Sequence, residues 1–305
     1  MTAEHIIGVD VGGTKCAAGL VRLPDGQVLA RRLQPTAAER GGQAVLTDVI
    51  DIVCSLQEEA TRLGVAPTAV GVGIAELVSP QGRVLSAATI PWKDVSIGEE
   101  IQLRTGLPAR VDADVRAAAR AETQLGAGRG FASFLYITVG TGISAALVIN
   151  GVPYTGARGL TGTFASSRGL IPSDDGQLSA GPPLEQFAAG PALAARFAAV
   201  RSDRTYDSPE VVAMCEAGDD LARSIVASAG EALGAAVAHL VNVLDPQAVV
   251  LGGGLGLVDG QYRRSFQAAL HTHVWSEIHR DVPLMPAALG VDAGFIGAAL
   301  AANSR

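Results

Sequence analysis

The stretch Ile6-Ile-Gly-Val-Asp-Val-Gly-Gly-Thr-Lys15 decides how the rest of this chain is read. Ile6, Ile7 and Val9 make a short β-branched run, the composition of a buried strand. Gly12 and Gly13 end it, and Thr14 and Lys15 follow at once. Glycine lets the backbone turn tightly and bring its N–H groups close to a ligand. A hydroxyl, an ammonium and bare amides in one turn suit phosphate oxygens. Asp10, at the strand end, is better placed to hold a hydrated cation than to touch phosphate. An ordinary Gly-Gly hairpin would read much the same. What favours the ligand is that the second half of the pattern returns later, at Gly140-Thr141-Gly142.

The chain has 305 residues, enough for two packed lobes. With 48% apolar residues, 37 glycines and only 4% aromatics, it suits an α/β protein of Val/Ile strands and Ala-rich helices. A net charge of −7 argues against nucleic acid or an anionic membrane as the main partner. By sequence, no apolar run reaches membrane-spanning length, and the first strand begins too early to leave room for a signal peptide. Cys16, Cys54 and Cys215 are scattered and form no C-x-x-C pair. They read as reduced thiols in a cytoplasmic protein.

Outward from the opening stretch, a strand over 17–23 turns at Pro24-Asp25-Gly26 into another over 28–33. Residues 44–63 carry helical spacing, closed by Gly64. Val70-Gly-Val-Gly-Ile74 is a buried strand ending on Ala75, Glu76 and Leu77. Ser96 with Glu99 predicts a capping box for a helix through Arg104. A short strand over 109–111 runs into Asp112-Ala113-Asp114, from which a helix leaves to Leu125. The order then restarts. A strand over 134–139 ends in Gly140-Thr141-Gly142, residues 143–149 return, and Asn150-Gly151 is a hairpin signal. The repetition predicts a duplicated lobe holding phosphate from both sides. Residues 156–183 read as loops. Helices follow at about 190–200, 208–217, 219–243 and 259–274. A strand over 247–251 precedes Gly252-Gly253-Gly254, and residues 292–302 close the chain as a helix despite two glycines.

Four motifs now stand in a fixed order: Asp10-Val-Gly-Gly-Thr-Lys15, Gly140-Thr-Gly142, Leu251-Gly-Gly-Gly254 and Asp292-Ala-Gly-Phe-Ile-Gly297. In that order, each on a strand end or helix start, they resemble the ROK family of bacterial sugar kinases and related repressors, over nearly the whole chain. The resemblance implies an α/β, two-lobed, actin-like ATPase (ribonuclease H-like) fold with an ATP/sugar cleft between the lobes. Expected bounds are 1–114 for the N-terminal lobe, 115–290 for the C-terminal lobe, and 291–305 for a helix packing back towards the first. It further implies that Asp10 positions Mg²⁺ through water, and that Gly12, Gly13, Thr14, Gly140, Thr141 and Gly142 cradle the phosphates of ATP. Gly252, Gly253 and Gly254 would line the adenosine pocket. Lys15 either adds charge near the phosphates or points to solvent.

Phosphoryl transfer to an alcohol needs in-line positioning, a metal and a base. A carboxylate at a strand end where a helix begins can be that base, and Asp114 falls on the Asp of the family's Asn-Asp motif. It would also cap its helix, since Asp is favoured there. Asp112, two residues earlier on a β-like segment, should share its face or be a solvated charge. The sugar site departs from the family pattern. Its Asn is Ala113 here, and its Glu-x-Gly-His reads Thr163-Phe-Ala-Ser166. The cysteines that complete the family's zinc site are missing, so no structural zinc is expected. His271 and His273, two apart on a helix, cannot share a face. Glu185 stands where a later sugar-binding Glu is expected, or is a helix-surface charge.

Glu76 replaces a small residue on the family's sugar-facing loop. It either faces solvent or offers a carboxylate to an ammonium on the sugar ring. With polar sugar ligands lost, these changes resemble the ROK kinases of antibiotic clusters that phosphorylate kanosamine at its 6-hydroxyl. The resulting expectation is an ATP-dependent kinase acting on the primary hydroxyl of a modified or amino hexose, with Glu76, Asp112, Ala113, Asp114, Thr163 and Glu185 around the sugar. A glucokinase or a C7-cyclitol kinase is the alternative within the family. A non-catalytic sugar-binding homologue is the alternative outside it. A ROK repressor would need a helix-turn-helix before the first strand, where only a few residues stand. Pairing through one lobe is common in the family, so a homodimer is expected.

Overall fold

In a computed structural model, which describes residues 3–92, 95–172 and 174–303, the run around Ile6, Ile7 and Val9 forms β1 (Glu4–Val11), buried from Ile6 to Val9. β2 (Lys15–Leu23) and β3 (Gln27–Pro35) continue it as an antiparallel meander. The helix α1 (Gly42–Arg62) buries Val45, Leu46, Val49, Val53 and Leu56, an i, i+3, i+4 stripe against the sheet. β4 (Pro67–Ile74) then pairs parallel with β1. After α2 (Ile97–Thr105), β5 (Ala109–Ala113) pairs parallel with β4, and α3 (Asp114–Leu125) leaves its last residue directly. The sheet order is β3-β2-β1-β4-β5.

The plan repeats. β6 (Ser133–Val139) is followed by β7 (Ile143–Ile149) and β8 (Val152–Pro153), with Asn150 (φ 51°) and Gly151 (φ 74°) making the positive-φ turn between the last two. An antiparallel hairpin, β9 (Arg168–Pro172) with β10 (Leu178–Pro183), is inserted next. Four helices follow: α4 (Glu185–Ala188), α5 (Gly190–Arg201), α6 (Ser208–Glu216) and α7 (Asp220–Leu244). β11 (Val249–Gly252) runs parallel to β6, and after α8 (Gln261–His273), β12 (Leu284–Pro286) runs parallel to β11. The chain closes with α9 (Ala293–Asn303). The second sheet has the order β12-β11-β6-β7-β8, the first sheet's order again.

Contacts divide the chain into a first unit of Met1–Phe131, Val148–Thr161 and Ala288–Arg305, and a second of Ala132–Leu147 and Gly162–Ala287. Within the first unit α3 packs with α9, and α9 with β1 and β4. In the second unit Ile137, Leu233, Val237, Phe266 and Leu270 belong to one buried cluster. α7 meets the length and apolarity of a membrane span, contrary to the sequence expectation. It is half inside the second unit: Val226, Gly230, Leu233 and Gly234 are among its buried residues, and Gly230 and Gly234 lie against α8.

Two local expectations are corrected. Ser96 makes no side-chain cap on α2. The capping box instead starts α6, where Asp207 accepts from Glu210 N at 2.8 Å and Glu210 Oε2 accepts from Asp207 N at 3.0 Å. Part of 156–183, read as loops, is the β9–β10 hairpin.

In the first unit Glu122 is fully buried, and its carboxylate accepts from Ala127 N (2.7 Å), Ala288 N (3.0 Å) and Leu289 N (2.9 Å). One side chain thus ties down both segments that lead out of the first unit near 131 and 288. Glu122→Ala takes the acceptor from three part-buried N–H groups, at about 1 kcal/mol each. The urea midpoint of the variant is expected to drop well below the parent's, with Glu122→Gln in between. An unchanged midpoint in Glu122→Ala contradicts this account.

Candidate active site

The parallel strands of the first unit end side by side. In register, Asp10 of β1 faces Gly73 of β4, and Gly73 faces Asp112 of β5. Gly73 has no side chain to fill the gap. A Cβ there would lie 3.3 Å from the Cα of Asp114 and 3.8 Å from Asp10 Oδ1. The Asp10 carboxylate and the backbone of Asp114 thus border the space over Gly73. α9 begins against Asp10, since a Cβ on Gly294 would lie 2.1 Å from Asp10 Oδ2.

Burial, and next the Asp114 carboxylate, push the Asp10 carboxyl up to about 7. Burial also pushes Asp114 up to about 6. Its bond from Val115 N (2.6 Å) works the other way, Glu76 and Asp112 add to the rise, and Arg116 opposes it. Two partly buried acids crowd one another, and among the described residues Asp10 forms no ion pair. That donor set fits a hydrated divalent cation, held by Asp10.

The turn after β1 is fastened from behind. Gly12 N donates to Lys15 O (3.0 Å), Thr36 Oγ1 donates to Gly12 O (2.7 Å), and Thr36 N to Thr14 O (3.0 Å). Gly12 and Gly13 are half-buried, while Thr14 and Lys15 are exposed. Thr36, 1% exposed, was not singled out from the sequence, where a lone Thr after a strand carries no signal.

Asp112 and Glu76 depart from their expected roles. Asp112 is buried and neither solvated nor free for a sugar. Its Oδ1 accepts from Arg116 Nε (2.7 Å) and Ala113 N (2.8 Å), and Arg120 Nη2 stands 3.6 Å from Oδ2. Arg116 in turn donates to Val78 O (2.7 Å) and Gly159 O (3.3 Å). Glu76 faces inward, 6% exposed, but its carboxylate is already engaged. It accepts from Ser86 Oγ and from the amides of Ala88 (3.0 Å), Thr89 (2.7 Å) and Ile90 (2.9 Å). All four donors come from the chain itself. Ala113, 5% exposed, ends β5 beside Asp114 with no polar group.

In the second unit Gly140 N donates to Gly142 O (2.9 Å), closing the Gly140-Thr141-Gly142 turn. Glu185 Oε2 accepts from Ile143 N (2.9 Å), and a Cβ on Gly142 would meet that oxygen at 2.6 Å. Glu185 therefore braces the turn. Gly190, opening α5, donates to Gly140 O (2.9 Å). Gly253 has φ +82°, and a Cβ on it would strike the Val139 carbonyl oxygen at 2.3 Å. Leu255 N donates to that same oxygen (3.0 Å). The turns at 140–142 and 252–254 hence sit together at the ends of β6 and β11. A cavity of about 470 Å³ opens beside α5 and α6, lined by Pro191, Ala194, Ala198, Tyr206 and Ser208 among others. Thr163 is exposed, as are His271 and His273. No three His, Cys, Asp or Glu side chains gather as a metal cluster among the described residues.

The first unit thus carries Asp10, the turn at 12–14, Glu76 and Asp112 to Asp114; the second carries the turns at 140–142 and 252–254, Thr163 and Glu185. An acidic pair and glycine turns are the parts that a nucleotide-dependent phosphotransferase uses. The ROK family model matches residues 6–305. The chain is 32% identical to the glucokinase of Streptomyces coelicolor, over 96% of each. It is also 32% identical to the bifunctional enzyme NanE/NanK of Brucella suis, over 97% of this chain but 53% of that protein. The chain thus spans about half the length of that relative. A ROK family glucokinase from Streptomyces griseus, solved in complex with glucose and AMPPNP, superposes with a TM-score of 0.79 at 27% identity, covering 99% of this chain and all of that one. The chain belongs to the ROK family. It is glucokinase-like in sequence, and its fold is the actin-like ATPase fold of the ROK sugar kinases.

The raised Asp10 carboxyl has a consequence for stability. Above about pH 7 the folded chain holds a charge that the unfolded chain, with an ordinary value near 3.8, solvates better. This group therefore subtracts stability at high pH, and the loss is relieved as pH falls from 7 towards 4. Without divalent cation, Asp10→Asn is expected to melt above the parent at pH 8, with the gap closing at pH 5. Scanning calorimetry in EDTA at the two values checks it, and a gap that widens at pH 5 refutes it.

Proposed function

We propose that this chain transfers the terminal phosphate of ATP to a hydroxyl of a hexose-class sugar, with Asp114 as the general base. The observation that carries the reading is the acid pair, Asp10 and Asp114, which flank Gly73 closely enough for the Asp114 charge to raise the Asp10 carboxyl. Asp114 takes the hydroxyl proton as the sugar oxygen forms its bond to the γ-phosphorus, and the bond to the bridging oxygen breaks to leave ADP. Its place at the first turn of α3 keeps the carboxylate oriented, through the Val115 amide. Bound Mg²⁺, held by Asp10 through water, would neutralise charge on the phosphates. The turns at 12–14 and 140–142 supply amides to those phosphates, with Lys15, exposed at the edge of the first turn, an added charge. Gly252 to Gly254 border the adenosine.

For the acceptor, we propose the primary 6-hydroxyl of a modified hexose, with kanosamine as one such amino sugar. Support comes from Ala113 and from Thr163-Phe-Ala-Ser166, where the family pattern has polar sugar ligands. Glu185, braced against Ile143 through one oxygen, has the other for a sugar hydroxyl. The ammonium contact through Glu76 is withdrawn, since that carboxylate already has four donors. Glucose or a C7-cyclitol remains the alternative within the family. Support for an enzyme over a binding protein is that Asp10, Asp114 and the glycine turns are all present. A homodimer in the cytoplasm is the setting we propose.

ADP release across hexoses, aminohexoses and cyclitols tests this. Asp114→Asn should keep nucleotide binding and lose about 10²–10⁴ in kcat. A variant as fast as the parent removes the base. Parent protein that binds sugars but turns over none of them is a binding protein.

A further inference from the structure

Glu76 is a buried carboxylate whose role the reaction above leaves open. It stands two residues past the end of β4, and everything bound to it comes from a single loop 10–14 residues further on. Three consecutive amides, of Ala88, Thr89 and Ile90, converge on its two oxygens, and the Ser86 hydroxyl completes the set. All four partners are donors, and both carboxylate oxygens accept. Ser86 is itself fixed, because its hydroxyl accepts from Leu77 N at 2.8 Å. The near end of the same loop is paired, Leu85 N with Leu77 O at 2.7 Å.

What the loop carries matters more than how it is held. A Cβ added to Gly13 would lie 2.6 Å from the Thr89 Cγ2 methyl, so that methyl rests on the backbone of the turn after β1. Thr89 is otherwise exposed, and its amide is the one closest to Glu76. The path runs from a carboxylate beside β4, through one amide, to the side chain that limits where Gly13 can move.

We propose that Glu76 is a positioning residue: by gripping the amides of Ala88, Thr89 and Ile90 it sets the Thr89 methyl against Gly13 and so fixes the phosphate-binding turn. This rests on the reading of residues 12–14 as a phosphate cradle. Glu76 itself touches no substrate. Truncating it frees the loop, lowers the fraction of molecules with a formed turn, and weakens ATP binding by that fraction.

Glu76→Gln keeps the shape but turns an NH₂ group towards donors, so at least one amide loses its acceptor. In hydrogen–deuterium exchange of the ligand-free protein, the amides of Ala88, Thr89 and Ile90 are expected to exchange faster in Glu76→Gln while those of β1 keep their protection. With ATP and a sugar that the parent turns over, KM for ATP should rise about tenfold with kcat little changed, the pattern of lost uniform binding. Thr89→Ala, which removes the methyl but keeps the amide, should raise KM for ATP likewise without speeding exchange at Ala88 and Ile90. Unchanged exchange in Glu76→Gln overturns the grip. Faster exchange with an unchanged KM for ATP in both variants overturns the link to Gly13. A rise confined to the KM of amino sugars would make Glu76 a ligand and overturn the proposal. The exchange arm needs no turnover, so failure of the kinase reading shows separately, as a parent inactive on every sugar.

Discussion

The first unit depends on how closely α9 lies on the sheet. A Cβ on Gly8 would sit 1.9 Å from the Phe295 carbonyl oxygen, one on Gly71 1.8 Å from that of Ala298, and one on Gly297 1.7 Å from that of Ala117. Backbone meets backbone there, and any side chain at these positions would push the helix off β1, β4 or α3. Side chains alternate across a strand, so Gly8 and Asp10 share the face that α9 covers. The helix start therefore arrives beside the Asp10 carboxylate, with Gly294 leaving it room. Burial of that carboxylate, and its readiness to take a proton or a cation, follow from this contact.

The second unit uses glycine for a different purpose. At 140–142 and 252–254 the missing side chains leave room for the unit's own carbonyls and for Glu185, so turns from β6 and β11 come together. Each turn is fastened to a neighbour: Gly140 to Gly190, Gly253 against Val139, Ile143 to Glu185. Such turns present amides without having to be ordered by a ligand, which lowers the entropic cost of binding one.

Much of this was legible beforehand because it is local. β-branched runs, glycine turns and Asn150-Gly151 act over a few residues, and their recurrence disclosed the duplicated plan. Placing Asp114 at the junction of β5 and α3 needed only that local reading. What escaped depends on residues far apart. Nothing near Asp112 says that its partners are Arg116 and Arg120 rather than water, since a helix two residues away could turn those side chains either way. Glu76 was read as facing either solvent or substrate because its four donors lie 10–14 residues on, in a segment with no regular pattern. The two glycines of the last helix looked like a weakness in it and are instead what allows its approach. The partner of α3 is equally distant, a helix that begins more than 160 residues later.

The same closing helix shapes how the polypeptide acquires its structure as it leaves the ribosome. The strands of the first unit are synthesised first, yet their glycine-lined face stays bare until residues 293–303 emerge. Residues 132–147 and 162–287, by contrast, contain all of the second unit. That part is free to collapse while the earlier strands still wait for their cover. Domains are generally completed in the order they are translated; here the half that is made first is finished last, by residues 293–303.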